Sequence, residues 1–306
     1  MATRKTVSYE IKTFEQKLID EQARIGIEAT KGWTQYRQTP AEELRRTYSG
    51  PSFDPSTRFY ALLKGELVGF LTASIASSAG EKTAVIRLPL VKKGHDSAQK
   101  ELMDHALKAL KEKGVSVITT DVARGWTNWE TLLKQYKFED TGVSSYIAEK
   151  SISSVNLSSL PAPTGVEQYE RGKDREAFCT MLTATGMPAE RTKAMVDEYE
   201  SGAKGSYLRR IAVIRKDNKT VAASAITVPD NETDVARIMR VMTLPGVKLS
   251  DVGAKIIRKL IETGAKDGLK RVRLTLMPET VQEYNDILSH IGVTAVPFMH
   301  TYRKRL

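Results

Sequence analysis

The chain of 306 residues is too long for one ordinary compact domain of ~100 to 150 residues and suits two. With 41% hydrophobic, 27% charged and 7% aromatic residues, it lies outside the disordered, collagen-like and disulfide-stapled classes. Its single cysteine, Cys179, can close no internal disulfide, which fits a reducing compartment. The net charge of +10 is spread over both halves, with no polybasic arm and no dense run beyond pieces such as Arg209-Arg210 and Arg303-Lys304-Arg305, so no nucleic-acid partner is expected. The opening MATRKTVSYEIKTFEQ has no apolar stretch behind its basic residues. No run approaches the ~18 apolar residues that span a bilayer, so the expected location is cytoplasmic, away from membranes.

In chain order, a first helix is predicted from near Phe14, with Leu18, Ile25 and Ala29 on one face, and a second helical piece over 41–48. A hairpin follows, turning at Lys64-Gly65. The β-rich run from Thr83 leads to a long one-sided helix carrying Ala98, Leu102, Met103, Ala106, Leu107 and Leu110, which Gly114 closes. A strand from Val115, a helix with Trp126, Trp129, Leu132, Leu133, Tyr136 and Phe138, and a last strand from Gly142 complete the half. Ser151 to Gly165 reads as a Ser/Pro-rich linker, in which Pro161 and Pro163 forbid a helix.

The second half repeats the first. Its helices start near Arg175, with Phe178, Met181 and Leu182, and near Ala189, and its hairpin turns at Asp217-Asn218. A β-rich run from Val235, a helix with Gly253, Ile256, Ile257, Leu260, Ile261 and Ala265 closed by Gly268, and a strand from Arg271 follow. Adding 155 to each apolar position of the last helix of the first half gives Val281, Tyr284, Ile287, Leu288, Ile291 and Val293. Strand, long helix, strand is a parallel crossover, so each half reads as a mixed, mostly antiparallel sheet with helices on both faces. This element order resembles the GNAT acyltransferase fold, and the pairing resembles tandem GNAT proteins, over Val7 to Lys150 and Val166 to Leu306. The fold class is then α/β, with an N-terminal domain over 1–150, the linker over 151–165 and a C-terminal domain over 166–306.

The resemblance implies acetyl-CoA, or another acyl-CoA, as co-substrate. Its diphosphate would sit on a loop that opens the crossover helix, where free backbone N–H groups and the helix dipole attract anions. The family loop reads Gln/Arg-x-x-Gly-x-Gly/Ala. The matching positions are Lys93-Gly94-His95-Asp96-Ser97-Ala98 and Lys248-Leu249-Ser250-Asp251-Val252-Gly253. Cation and small residue are kept, but Asp96 and Asp251 replace the middle glycine. A carboxylate there repels a phosphate; both residues also read as helix N-caps or first-turn acids. Gly253 favours the second loop, and Lys92, Lys93 and Gly94 give the first more charge and freedom. The strand ends Leu88 to Val91 and Val241 to Leu244, the latter including Met242 and Thr243, would pair with the pantetheine arm, near the donor-less Pro89 and Pro245.

Acyl transfer to an amine needs a base for the ammonium and an acid for the thiolate. The tyrosine that the family uses as acid is replaced by Leu133 and Leu288, and the central strands offer Arg87 and Arg237 where it uses glutamate. Tyr136 and Tyr284 read as core residues, Cys179 as a small buried one, and Glu81 and Asp234 as solvated. His95 lies in the first loop, His105 on a polar helix face, and His290 and His300 lack an acid at helical spacing; no set has metal-ligand spacing. Trp33 and Tyr36 lie in a loop where the family often admits substrate. The expected function is acyl-CoA-dependent N-acylation of an amine of small-molecule or protein origin, with one domain degenerate. The alternative is a non-catalytic pair of degenerate folds serving as a binding or scaffold module.

Overall fold

The computed structural model describes residues 8–36, 38–51, 53–78, 80–126, 129–202, 207–229 and 231–306; the first seven residues, part of the stretch read for a leader, lie outside them. Chain contacts divide the protein into unit 1, residues 1–142 with 299–306, and unit 2, residues 143–298.

Unit 1 begins with β1 (Glu10–Lys12), α1 (Ile19–Ala29) and α2 (Ala41–Tyr48), and continues through β2 (Arg58–Leu63), β3 (Glu66–Ser78), β4 (Glu81–Ile86) and β5 (Leu90–Val91). The crossover helix α3 (Ser97–Glu112), β6 (Val117–Ala123), α4 (Trp129–Gln135) and β7 (Glu139–Ser151) follow. The second pass gives β8 (Val166–Gln168), α5 (Arg175–Ala184), α6 (Ala189–Glu200), β9 (Leu208–Lys216), β10 (Lys219–Thr227), β11 (Val235–Ile238) and β12 (Met242–Thr243). It ends with α7 (Leu249–Lys266), β13 (Arg271–Leu276), α8 (Pro278–Ile291) and β14 (Val296–Arg305). Each expected element has its counterpart. The short strands β1, β8, β5 and β12 are additions, too brief to show a hydrophobic period.

Local chemistry places the elements. Lys64 and Gly65 adopt φ of 52° and 84°, and Asp217 and Asn218 φ of 50° and 63°, the paired positive values of a two-residue hairpin turn. The crossover helices bury one stripe each: Ala98, Leu102, Met103, Ala106 and Leu110 in unit 1, and Val252, Ile256, Ile257, Leu260 and Ile261 in unit 2. At ~25 cal/mol per Å2 of apolar surface, such stripes are the main force pinning helix to sheet. In both units the strands flanking the crossover run parallel, Thr83 to Val85 beside Val117 to Thr119, and Val235 to Ile238 beside Arg271 to Leu274.

The domain boundaries differ from those expected, because the two halves exchange their last strands. Residues 299–305 of β14 pair antiparallel with β6 and finish the sheet of unit 1. Residues 146–151 of β7 pair antiparallel with β13 and finish that of unit 2. A strand pattern says that a segment is extended, not which sheet edge receives it. The charges across the ladder decide. Arg273, 1% exposed, donates to Glu149 Oε2 at 2.5 Å and to both oxygens of Glu232 at 2.6 and 2.7 Å. Arg271 joins Glu149 Oε1 at 2.8 Å to Asp234 at 2.8 and 3.1 Å. Asp234 thus takes part in an ion-pair chain while its side chain stays 46% exposed, as expected of a solvated acid. The 151–165 segment is also no free tether, since Ile152, Val155 and Leu160 are buried in the core of unit 2.

A second polar anchor of unit 2 is Asp174, fully buried. It accepts from Glu170 N at 2.6 Å, Arg215 Nε at 2.9 Å, Arg215 Nη2 at 2.5 Å and Thr220 Oγ1, tying the start of α5 to β9 and β10. Burial by itself would raise the Asp174 carboxyl, but the hydrogen bonds from Arg215, the Glu170 amide and Thr220 outweigh it and hold the group below its usual range. The stabilisation is therefore complete above the ordinary aspartate range, near ~4, and is lost as pH falls through the lower folded value. Urea midpoints taken from pH 6 downwards should fall below about pH 4, and Asp174→Asn, less stable at neutral pH, should show a shallower acid limb.

Candidate functional site

The parallel strands of each unit part company, and the opening between them is the candidate site. After Val85, Arg87 N donates to Thr72 O and Lys92 N to Val68 O, both at 2.8 Å, so the chain follows β3 away from β6. Unit 2 repeats the two bonds as Met239 N to Ala225 O and Leu244 N to Val221 O, both at 2.9 Å. Gly69 permits the return in unit 1, because a Cβ there would lie 2.6 Å from Val91 Cγ1 and 3.1 Å from Leu90 O. The expected strand ends do border the openings. One edge of Met242 and Thr243 is already used on Ala223 and Ala222 of β10, and Leu244 N is spent on Val221.

The matched bonds put Pro89 opposite Val241, an offset of 152. The helices that follow keep their own offset of 155, since Phe138 N bonds Leu133 O at 2.9 Å and Val293 N bonds Leu288 O at 3.0 Å. Trp129 and Tyr284 are thus equivalent, and here the units diverge. In unit 2, Val241 N donates to the Tyr284 hydroxyl at 2.7 Å. Tyr284 is 2% exposed, and burial pushes its phenol up to about 12, so it remains a neutral plug across the physiological range. In unit 1, Pro89 has no N–H to offer. Trp129 is 5% exposed, and its indole N–H has no acceptor among the described residues. Nothing in the residue types betrayed this, because each aromatic alone reads as core.

The loops also differ. In the first, Lys92 is committed to Glu21 at 2.5 Å, and the hydrogen bond of Arg24, with that of Lys92, holds the Glu21 carboxyl at about 2. Lys93 and Gly94 are exposed, Gly94 at φ of 88°, and the turn is closed by His95 N to Lys92 O at 3.1 Å and Ala98 N to His95 O at 2.9 Å. The Tyr9 hydroxyl reaches Ser97 Oγ at 3.1 Å and His95 Nδ1 at 3.4 Å, fixing the His95 ring at the start of α3. Asp96 sits at the N-cap position without making a side-chain capping bond, so its carboxylate stays exposed. In the second loop Lys248 is the N-cap residue, and Leu249, Ser250, Asp251, Val252 and Gly253 already belong to α7. Asp251 is a first-turn acid favoured by the dipole, accepting from Ser250 Oγ at 3.0 Å. Gly253 is buried, and a Cβ there would come within 2.8 Å of Leu249 Cδ1 and 2.9 Å of Ile287 Cδ1. Its smallness serves packing between α7 and α8, which removes the reason for preferring this loop.

Cys179 is half-buried at the wall of a cavity of about 690 Å3 between α5 and α6, and burial pushes its thiol up, away from nucleophilic use. His300, without an acid at helical spacing, finds one through the exchanged strand: its Nδ1 lies 2.9 Å from Asp140 Oδ2. Trp33 stacks on Trp126 with centroids 5.2 Å apart and meets Trp129 edge-on at 6.1 Å, so the α1–α2 loop packs against the tryptophans that lead into α4. Tyr136 packs its half-buried ring against the core of unit 1 and turns its hydroxyl out to Lys100 O and Asp104. Among the described residues, no group of three or more His, Cys, Asp or Glu is placed to hold a metal, and no helix is long and apolar enough to cross a membrane.

Tyr284→Phe should strand the buried Val241 amide and lower the stability of unit 2 by about 1–3 kcal/mol, read from urea unfolding. Gly253→Ala should cost about 1–3 kcal/mol through overpacking, since the obstacles are side-chain ends that give only in part.

No family model matches the sequence, and no curated protein matches it. Solved structures do. A tandem GNAT protein from the clavulanic acid biosynthesis pathway superposes with a TM-score of 0.65 at 12% identity, over 97% of this chain and 98% of that one. A GCN5-related N-acetyltransferase from Sphaerobacter thermophilus gives 0.62 at 12% identity, over 97% and 95%. A GNAT-family acetyltransferase from Colwellia psychrerythraea gives 0.61 at 15% identity, over 97% and 99%. At these identities the likeness is one of fold: the chain, with its two passes through one element order, has the fold of the GNAT acetyltransferases and matches a tandem GNAT protein over nearly its whole length.

Proposed function

We propose that the protein is an acyl-CoA-dependent N-acyltransferase, with acetyl-CoA as thioester and unit 1 as the working unit, while unit 2 is degenerate. The observation that carries this reading is the indole N–H of Trp129, which has no partner among the described residues and stands at the position that Tyr284 holds in unit 2. A buried donor without a partner costs ~1–3 kcal/mol, and a carbonyl brought into the opening recovers it. At the equivalent position of unit 2, Tyr284 and Val241 satisfy each other, and among the described residues the buried donor left without a partner near that opening is the Arg237 Nε on β11. The names of the structural neighbours, acetyltransferases among them, agree at the level of fold.

Within unit 1, Lys93, Gly94 and the first-turn amides of α3 are the groups suited to a diphosphate, with the Tyr9, His95 and Ser97 side chains beside them. The co-substrate supplies an activated acyl carbon and a leaving thiolate. Leu133 cannot protonate that thiolate, and solvent does so instead, since a thiolate is a fair leaving group. Asp96 opposes binding, so affinity should be modest. The lone cysteine suits the cytoplasm as the setting.

Calorimetric titration with acetyl-CoA tests the reading. Binding is expected in the wild type, weakened at least about tenfold by Lys93→Glu through charge reversal and unaffected by Lys248→Glu. A loss confined to Lys248→Glu would move the site to unit 2. No heat and no thermal shift at millimolar acetyl-CoA would favour the non-catalytic scaffold instead.

A further inference from the structure

Unit 1 contains a cavity of about 600 Å3 at the carboxyl end of β6, under α4 and against the exchanged strand β14. Its apolar walls are Trp126, Trp129, Phe138 and Tyr302. Trp129 is therefore shared: the ring whose unpaired N–H marks the opening also borders this cavity. His300 lines it as well, and Asp140 accepts from its Nδ1. A carboxylate there requires a proton on Nδ1, and in the neutral ring the lone pair then lies on Nε2. The arrangement is that of a general base oriented by an acid.

The charges around the rim are mixed. Arg124 and Lys134 contribute two cations, and neither makes an ion pair among the described residues. Glu130 contributes an acid, and Asp140 a second. Burial raises the Tyr302 phenol, and the charges of Asp140 and Glu130 push it further, so both acids act on the same region of the cavity. A ligand with one charge would meet a mismatch. A zwitterion with an apolar body matches cations, acids and aromatic walls together.

We propose that this cavity is the acceptor site and takes a small primary amine that also carries a carboxylate, an amino-acid-like substrate, with His300 as the base and Asp140 as its positioning residue. The inference rests on the acyltransferase reading of unit 1. Arg124 and Lys134 receive the carboxylate, and Glu130 draws the ammonium toward His300. His300 Nε2 takes the first ammonium proton and later returns it to solvent. The freed nitrogen forms the C–N bond as the thioester C–S bond breaks, and the second nitrogen proton reaches the leaving thiolate through water.

The three tryptophans of the chain, Trp33, Trp126 and Trp129, all lie in this cluster, so intrinsic fluorescence reports on the cavity without turnover. The test uses the full chain with a panel of the standard amino acids and their decarboxylated counterparts. At least one amino acid should change the fluorescence saturably, its decarboxylated amine should bind at least about tenfold more weakly, and Arg124→Ala should erase the difference. With acetyl-CoA present, His300→Gln should lower kcat about a hundredfold or more, with KM for the amine within about twofold and the acidic limb of the rate profile lost. Asp140→Asn should lower kcat less and move that limb. Urea midpoints verify that each variant is folded. The proposal is overturned if acetyl-CoA binds but no amino acid does, if the decarboxylated amines bind as well, or if folded His300→Gln turns over like the wild type. Failure of acetyl-CoA to bind is a separate result, read by calorimetry, that removes the acyltransferase reading first and this one with it.

Discussion

Two parallel strands that begin as neighbours and then separate govern the chemistry available to this protein. A parallel pair that stops after three or four residues leaves facing backbone edges unpaired inside a fold, and such edges must find partners or cost energy. The protein answers twice. In unit 2 a tyrosine hydroxyl accepts the stranded Val241 amide, and the opening becomes ordinary core. In unit 1 the stranded position is Pro89, which needs nothing, and the aromatic in the tyrosine's place brings a donor of its own. One duplicated scaffold thus treats the same stranded position in two ways, and the difference lies in two residue pairs, Pro89 with Trp129 and Val241 with Tyr284.

The exchange of last strands is the second determinant. It puts Glu149 between Arg271 and Arg273, where a buried guanidinium is matched by carboxylates on two sides. Removing one partner of such a group is far more costly than the pair's net contribution to stability, so the network specifies the pairing more than it strengthens it. The same exchange carries His300 to Asp140 and Thr301 to Asp121, residues that sequence order keeps far apart. The histidine dyad of unit 1 is therefore a product of topology.

Much of the fold was legible. The α2 boundaries, the two hairpin turns, the crossover helices and the repeat were all readable because each rests on local periodicity or turn chemistry. Domain limits were not, since a strand does not encode its neighbour. The site was read less well for a related reason. Gly253 looked like a glycine kept for a phosphate, but the feature that explains it is the pair of side-chain ends from Leu249 and Ile287. His300 looked solitary because its partner is 160 positions away. Trp129 looked like core, and is core; its meaning lies in the lack of an acceptor among the described residues, which no residue pattern displays.

The exchanged strand also bears on how the protein is made. Synthesis runs from the amino end, and by the time Val117 to Ala123 emerge, the strand that will cover them, Met299 to Arg305, has not been translated. At ~5–20 residues per second, the edge of β6 waits many seconds on the ribosome with its ladder open. Unit 2 needs only residues 143–298 and can close first. The first unit in the sequence is thus the last to finish, and its exposed edge gives nascent chains on one messenger an opportunity to trade carboxyl-terminal strands.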